Sequence, residues 1–271
     1  MGKIFAVANQ KGGVGKSTTV VNLAAALGER DKTVLCVDTD PQGNTTSGLG
    51  IRKKSLTTSS YDILIGKENI QNAIIRTPFR NLSILPANQK LAGCEVEMVE
   101  IDNRLNRLKM QLLTCKLDYD YIIIDCPPAL SLLTLNGLCA CDSVIVPMQC
   151  EFYSLEGLSQ LIETIKYVKA NYNPTIAIQG ILFNMFDPRL NVTEMVVKEV
   201  KKHFPNNTFT TTIPRNVRIS EAPSYGQPVI YYDKNSKGAA AYRQLCAELL
   251  GEPIETTQKE KKGLFKKKSK G

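Results

Sequence analysis

The sequence predicts an α/β fold: a parallel, mostly doubly wound sheet with helices on both faces. Three observations predict it. Short runs of β-branched and aliphatic residues alternate with segments whose apolar residues recur at helical spacing. Several runs are apolar at successive positions, as strands buried on both faces must be. A glycine-rich loop stands between the first run and the first helical segment, where an α/β sheet places its ligand loop.

"KIFAVAN" (3–9) reads as the first strand. A helix starts at Lys16, with Val20, Leu23, Ala24 and Leu27 on one face. "TVLCVD" (33–38), "NLSIL" (81–85), "DYIIID" (120–125), "DSVIVPM" (142–148) and "IAIQGILFN" (176–184) read as further strands. Leu155, Leu158, Ile162 and Ile165 form one core-facing helical stripe, and Val192, Met195, Val196 and Val200 another. A last helix spans about 236–250 and stops at Gly251 and Pro253. The expected organisation is a single domain, 1–251, then a flexible basic tail, 252–271.

Charge sharpens that division. The net charge is +8, and 259–271 holds seven lysines against one glutamate. The body is therefore nearly balanced, and a nucleic-acid surface must be a local patch or the tail. No apolar run has the length of a membrane span. With no secretory signal pattern in "MGKIFAVAN", the expected location is the cytoplasm. The eight cysteines form no C-x-x-C pair and read as buried thiols, with a shared iron–sulfur cluster as the sharper alternative. The single histidine, His203, cannot form the usual zinc cluster.

The stretch "NQKGGVGKST" (9–18) carries the chemistry. It nearly matches G-x-x-x-x-G-K-[ST], but Gln10 stands where the first glycine belongs and Lys11 comes after it. Gly12, Gly13, Val14, Gly15, Lys16, Ser17 and Thr18 suit a phosphate cradle at a helix N-terminus, so the fold is of the P-loop NTPase type. Lys16 is placed to neutralise the β- and γ-phosphates of a nucleotide, and the Ser17 hydroxyl to ligate Mg²⁺. Asp125 ends an apolar strand and is a candidate for holding Mg²⁺ through a water. Asp38 and Asp40 end another strand. Such acids converge on the ligand-binding edge of a parallel sheet, where one of them can orient an attacking water; Asp38 reads equally as a metal-site or a turn residue.

"KGGVGKST", "VDTDPQGN", "DYIIIDCPP" and "IPRNVRISEAPSYGQPVIYYDKNSKGA" together resemble the ParA/Soj chromosome- and plasmid-partition ATPases. These belong to the deviant phosphate-loop class that includes MinD and the nitrogenase iron protein. The resemblance covers about residues 1–250. It implies that Lys11 reaches the nucleotide of a second subunit in an ATP-dependent homodimer. It implies that Asp40 orients the attacking water and Asp125 serves Mg²⁺. It also places Asn184 and the loop Pro214, Arg215, Asn216 in the region that holds the adenine.

The same resemblance implies sequence-nonspecific DNA binding, nucleoid association and a ParB/Spo0J-type centromere-binding partner that triggers hydrolysis. Arg218 is the leading DNA-contact candidate, then Arg189, with Lys201, Lys202 and Lys237. Two alternatives stand beside this reading. A MinD-like membrane switch would use the tail, whose Leu264 and Phe265 permit only weak contact with an anionic membrane. An electron carrier like the nitrogenase iron protein would need two cysteines per subunit at the dimer axis.

Overall fold

The apolar runs pair side by side into one seven-stranded sheet in the computed structural model, which describes residues 2–253. The strands are β1 (Lys3–Val7), β2 (Val34–Asp38), β3 (Ile75–Arg76), β4 (Leu82–Leu85), β5 (Tyr121–Asp125), β6 (Ser143–Gln149) and β7 (Ala177–Asn184). Their order is β3-β4-β2-β5-β1-β6-β7. Every neighbouring pair is parallel except β3 with β4. The two-residue β3 is antiparallel at the edge, and its shortness explains why no apolar run announces it.

Between the strands lie α1 (Lys16–Glu29), α2 (Asn44–Gly48), α3 (Ser60–Leu64), α4 (Ile70–Ala73), α5 (Leu91–Met98), α6 (Arg107–Leu113), α7 (Leu132–Ala140) and α8 (Ser154–Asn171). After β7 come α9 (Asn191–His203), α10 (Val217–Glu221), α11 (Val229–Tyr232) and α12 (Lys237–Leu250).

Strand side chains alternate between two cores. Ile4, Ala6, Leu35, Val37, Ile122 and Ile124 pack on one face against α3 to α9. Phe5, Val7, Cys36, Ile123 and Ile145 pack on the other against α1, α11 and α12. At α1, Val20, Leu23, Ala24 and Leu27 are fully buried, so the predicted stripe is the contact face. Ser236 caps α12 through a bond to the amide of Ala239, and Gly251 ends it in a left-handed turn.

Met195 departs from the expected α9 stripe: it is exposed, while Thr193, Val196 and Val200 are buried. At 100° per residue Met195 lies about 130° round the helix from the centre of that inward face. Its apolar character therefore does not make it part of the core.

Strand register brings the sequence motifs together. Val7 and Asp38 both lie opposite Asp125, so β1, β2 and β5 end level with one another. The loop after β1 and the acids after β2 and β5 therefore share one edge of the sheet. Among the described residues no helix is long and apolar enough to cross a membrane. Apart from Glu252 and Pro253, the tail 252–271 lies outside the described residues, and so do its expected flexibility and its DNA and membrane contacts.

Candidate functional site

The loop after β1 opens α1 with Gly15 in the N-cap position. Gly13 and Gly15 have φ of 73° and 89°, the left-handed region that side chains resist. At Gly15 there is a second reason: a Cβ would sit 2.6 Å from the amide nitrogen of Asn184. At Gly12 and Gly13 a Cβ would meet nothing within 4 Å, so the chain itself does not crowd them. That open rim is where an outside group can approach the loop.

Lys16 is buried, and its Nζ donates to the carbonyl of Lys11 at 3.2 Å. Burial lowers its pKa, while Asp125, Cys126 and Asp40 pull it back up. Ser17 and Thr18 come next on the first turn of α1, half-buried. The Thr18 carbonyl accepts from Asn22 Nδ2. Lys11 lies at the rim and forms an ion pair with Glu151, just beyond β6.

Three carboxylates lie at this edge of the sheet. Asp38 is buried with both oxygens engaged: Oδ2 accepts from the amide and hydroxyl of Thr46, and Oδ1 from the amide of Asp40. Asp38 thus ties down its own turn. Asp40 is buried too, and its Oδ1 accepts from the Gln42 amide at 2.9 Å. Asp125 is fully buried; its Oδ2 accepts from the Thr45 hydroxyl at 2.7 Å. Among the described residues its Oδ1 has no hydrogen-bond partner, although the Ser17 hydroxyl lies close enough to lower the acid's pKa.

The electrostatics show a shortage of positive charge. Burial pushes Asp125 up to about 8, helped by Asp38 and opposed by the Ser17 and Thr45 hydroxyls. Burial also pushes Asp38 up to about 6, against its bonds from Thr46. A divalent cation beside Asp125 Oδ1 and the Ser17 hydroxyl would answer both the unpaired oxygen and the excess negative charge. Mg²⁺ suits such a place, because it needs only one or two protein ligands beside phosphate oxygens and water. Among the described residues no three His, Cys, Asp or Glu side chains cluster as a self-sufficient metal site.

The expected adenine region meets the loop from the other side. Asn184, at the end of β7, donates Nδ2 to the Val14 carbonyl at 2.9 Å and to the Thr19 hydroxyl at 3.3 Å. Its side chain thus braces the phosphate loop from behind. Pro214 pairs with Phe186 just beyond β7, so the 213–216 loop runs along the same border. Arg215 is exposed, and Asn216 caps α10 by accepting from the amides of Arg218 and Ile219.

The structure divides the DNA-contact candidates. Arg189 makes a two-pronged ion pair with Asp187, and Arg218 pairs with Glu221 and Asp233. Lys237 opens α12 close to Arg218, since its neighbour Gly238 packs against Ile219. Lys201 and Lys202 sit on the last turn of α9, and Lys202 pairs with Glu199. The length of α9, about 18 Å, separates them from Arg189. All eight cysteines are free and buried.

Sequence reasoning missed Thr45, Thr46, Asn9, Gln149 and Glu151. The two threonines come directly after "VDTDPQGN" and open α2, which was signal enough for a cap-like role. Asn9 Nδ2 donates to the Pro147 carbonyl and Gln149 Nε2 to the Gly13 carbonyl, contacts across about 140 residues that no spacing reveals. Two cavities of about 310 and 410 Å³ lie away from this edge, one beside Lys3, Lys32 and Asp120, the other beside Gly50, Arg52 and Asn72.

The chain matches known proteins over most of its length. A family described as an AAA domain matches residues 2–178. The sporulation initiation inhibitor protein Soj of Bacillus subtilis is 52% identical over 249 residues, 92% of this chain and 98% of that protein. The chromosome partitioning protein ParA of Myxococcus xanthus is 50% identical over 92% of this chain and 88% of its own. Among solved structures, a Mycobacterium smegmatis protein titled cobyrinic acid a,c-diamide synthase, with bound ATP analog and magnesium, is 38% identical with a TM-score of 0.81. That match covers 92% of this chain and 95% of that one.

Proposed function

Because this chain belongs to the ParA/Soj family of chromosome-partitioning ATPases, we propose that it is an ATP-driven dimerisation switch that binds DNA without sequence preference. A ParB-type centromere-binding partner would stimulate its hydrolysis. The carrying observation is the convergence of Lys16, Asp40 and the unpaired oxygen of Asp125 on one loop, with Lys11 at that loop's open rim.

ATP is the substrate, and its phosphates lie against the backbone N–H groups of residues 12–18. Lys16 neutralises the β- and γ-phosphates. Ser17, and Asp125 through a water, hold Mg²⁺, which neutralises charge on the phosphate oxygens. Asp38 holds Thr46 and the Asp40 amide, and so keeps the acidic turn in place. Asp40 orients the water that attacks the γ-phosphorus as the bond to the β–γ bridging oxygen breaks, giving ADP and phosphate. Lys11 acts on the nucleotide of a second copy, where a cation brought in trans stabilises charge on the transferring group.

The ATP analog and magnesium in the similar M. smegmatis structure support this ligand pair. The unfilled space over Gly12 and Gly13 supports close approach of a second copy. On DNA, Arg218 and Lys237, brought together where Gly238 packs on Ile219, are candidate phosphate contacts, with Arg189 beyond β7.

The test is sedimentation and DNA binding of the full chain with Mg-ATP, with Mg-ADP and without nucleotide. The proposal predicts a dimer and DNA binding with ATP and a weakly binding monomer otherwise. Lys16→Ala should lose ATP binding and, with it, both responses. Equal DNA affinity in all three nucleotide states would remove the switch.

A further inference from the structure

The loop from Cys150 to Tyr153 joins β6 to α8 and runs beside the phosphate loop. Three side-chain contacts tie the end of β6 and this loop to the phosphate loop. Asn9 Nδ2 donates to the Pro147 carbonyl at 2.7 Å, and Gln149 Nε2 donates to the Gly13 carbonyl at 3.0 Å. These two are neutral bonds to backbone and fix the phosphate loop against the end of β6. The third differs in kind: it is the ion pair of Lys11 with Glu151.

Both members of that pair are accessible, with side chains 35% and 52% exposed. Lys16, by contrast, is buried and points into its own cradle. The Lys11 backbone is also anchored: its amide donates to Asn9 Oδ1 and its carbonyl accepts from Lys16. Only the Lys11 side chain is therefore free to change partner. While Glu151 holds it, any approach of that ammonium to a second copy's nucleotide brings a carboxylate towards a polyphosphate. Like charges oppose that approach, so the pair must open for Lys11 to act.

We propose that Glu151 is a positioning residue that stores Lys11 against its own subunit in the nucleotide-free monomer. Lys11 then exchanges Glu151 for the phosphates of a second copy's ATP as the dimer forms. This rests on the trans role of Lys11 in the proposed function. The exchange sets a threshold, because the partner's nucleotide must outcompete a carboxylate. A triphosphate carries more charge than a diphosphate, so Glu151 biases pairing towards ATP and against ADP. The same loop exposes Phe152 and Tyr153, packed edge to face at 5.7 Å. Movement of Glu151 would thus change a surface next to the rim.

Glu151→Gln keeps the length of the side chain and removes its charge. The experiment measures the dimer Kd of the full chain by sedimentation, with a non-hydrolysable ATP analogue and with ADP. It uses the unaltered chain, Glu151→Gln, Lys11→Ala and the double variant, with the urea midpoint of each monomer as a folding control. An exposed ion pair is worth a factor of about two to five. Each subunit of the dimer opens one such pair, so Glu151→Gln should tighten the analogue-bound dimer by about four- to twenty-five-fold and raise the dimer fraction with ADP, at an unchanged urea midpoint. The double variant should dimerise no better than Lys11→Ala alone. A Glu151→Gln dimer that is unchanged or weaker overturns the proposal, as does recovery in the double variant. If Lys11→Ala leaves the dimer intact, the trans role of Lys11 fails first and takes this inference with it. If Lys11→Ala weakens the dimer and Glu151→Gln does nothing, this inference falls alone.

Discussion

Asp125→Asn should make the nucleotide-free protein more stable at pH 8.5, and the reason is the cost of a buried carboxylate. Burial and Asp38 move the acid from an ordinary 3.8 to about 8. A folded-state pKa above the unfolded one means that folding takes up a proton. The associated stability is full below pH 3.8 and is lost as pH rises towards 8. At 1.36 kcal/mol per pH unit, the cost of ionising this group at pH 8.5 is at most roughly 6 kcal/mol. Even a third of that would move a urea midpoint clearly. Asparagine keeps an oxygen for the Thr45 hydroxyl and offers an amide to the Ser17 oxygen where Asp125 has an unpaired atom. Urea titrations at pH 6, 7 and 8.5 should show a stabilised variant whose stability falls less steeply with pH. The added stabilisation by Mg-ATP over ATP alone should disappear. A variant no more stable than the unaltered chain at pH 8.5, or one with the same pH slope, would refute this reading of Asp125.

Three further outcomes are expected. Asn184→Ala strips the Val14 carbonyl and the Thr19 hydroxyl of a buried donor, and should cost about 2–3 kcal/mol in urea denaturation with a parallel loss of nucleotide affinity. Gly226 has φ of 63°, and a Cβ there would lie 2.7 Å from Gly50 Cα; Gly226→Ala should cost about 2 kcal/mol or more, seen as a lowered melting temperature. Arg218→Ala should weaken binding to every DNA sequence alike and lower the salt slope by about 1. It also leaves Glu221 and Asp233 without their guanidinium, and an unchanged slope would remove Arg218 from the DNA surface.

The sheet was legible because its central strands are continuous aliphatic runs. "TVLCVD" and "DYIIID" became β2 and β5 within a residue of the expected ends. Register could not be read from sequence, yet it is register that sets Asp38 beside Asp125, where its charge adds to the burial that raises the Asp125 pKa. The helices between β2 and β4 went unread because four or five residues cannot display a helical period. The phosphate loop was visible as a motif because its glycines and lysine stand close together in sequence. Asn184 was placed in the adenine region by resemblance. Its bonds to Val14 and Thr19 depend on β7 ending beside α1, which no local pattern announces. Glu151 was invisible for the same reason: it stands 140 residues from Lys11. Met195 shows the opposite error, an apolar residue read as core on the wrong side of a helix.

The central claim is that Lys11 serves a second subunit and not its own cradle. Sedimentation of Lys11→Ala with a non-hydrolysable ATP analogue and Mg²⁺, beside a nucleotide-binding titration of the same variant, tests it most directly. The expected result is a monomer that still binds nucleotide, because Lys16 and the loop amides are untouched. An analogue-dependent dimer as tight as that of the unaltered chain would contradict it.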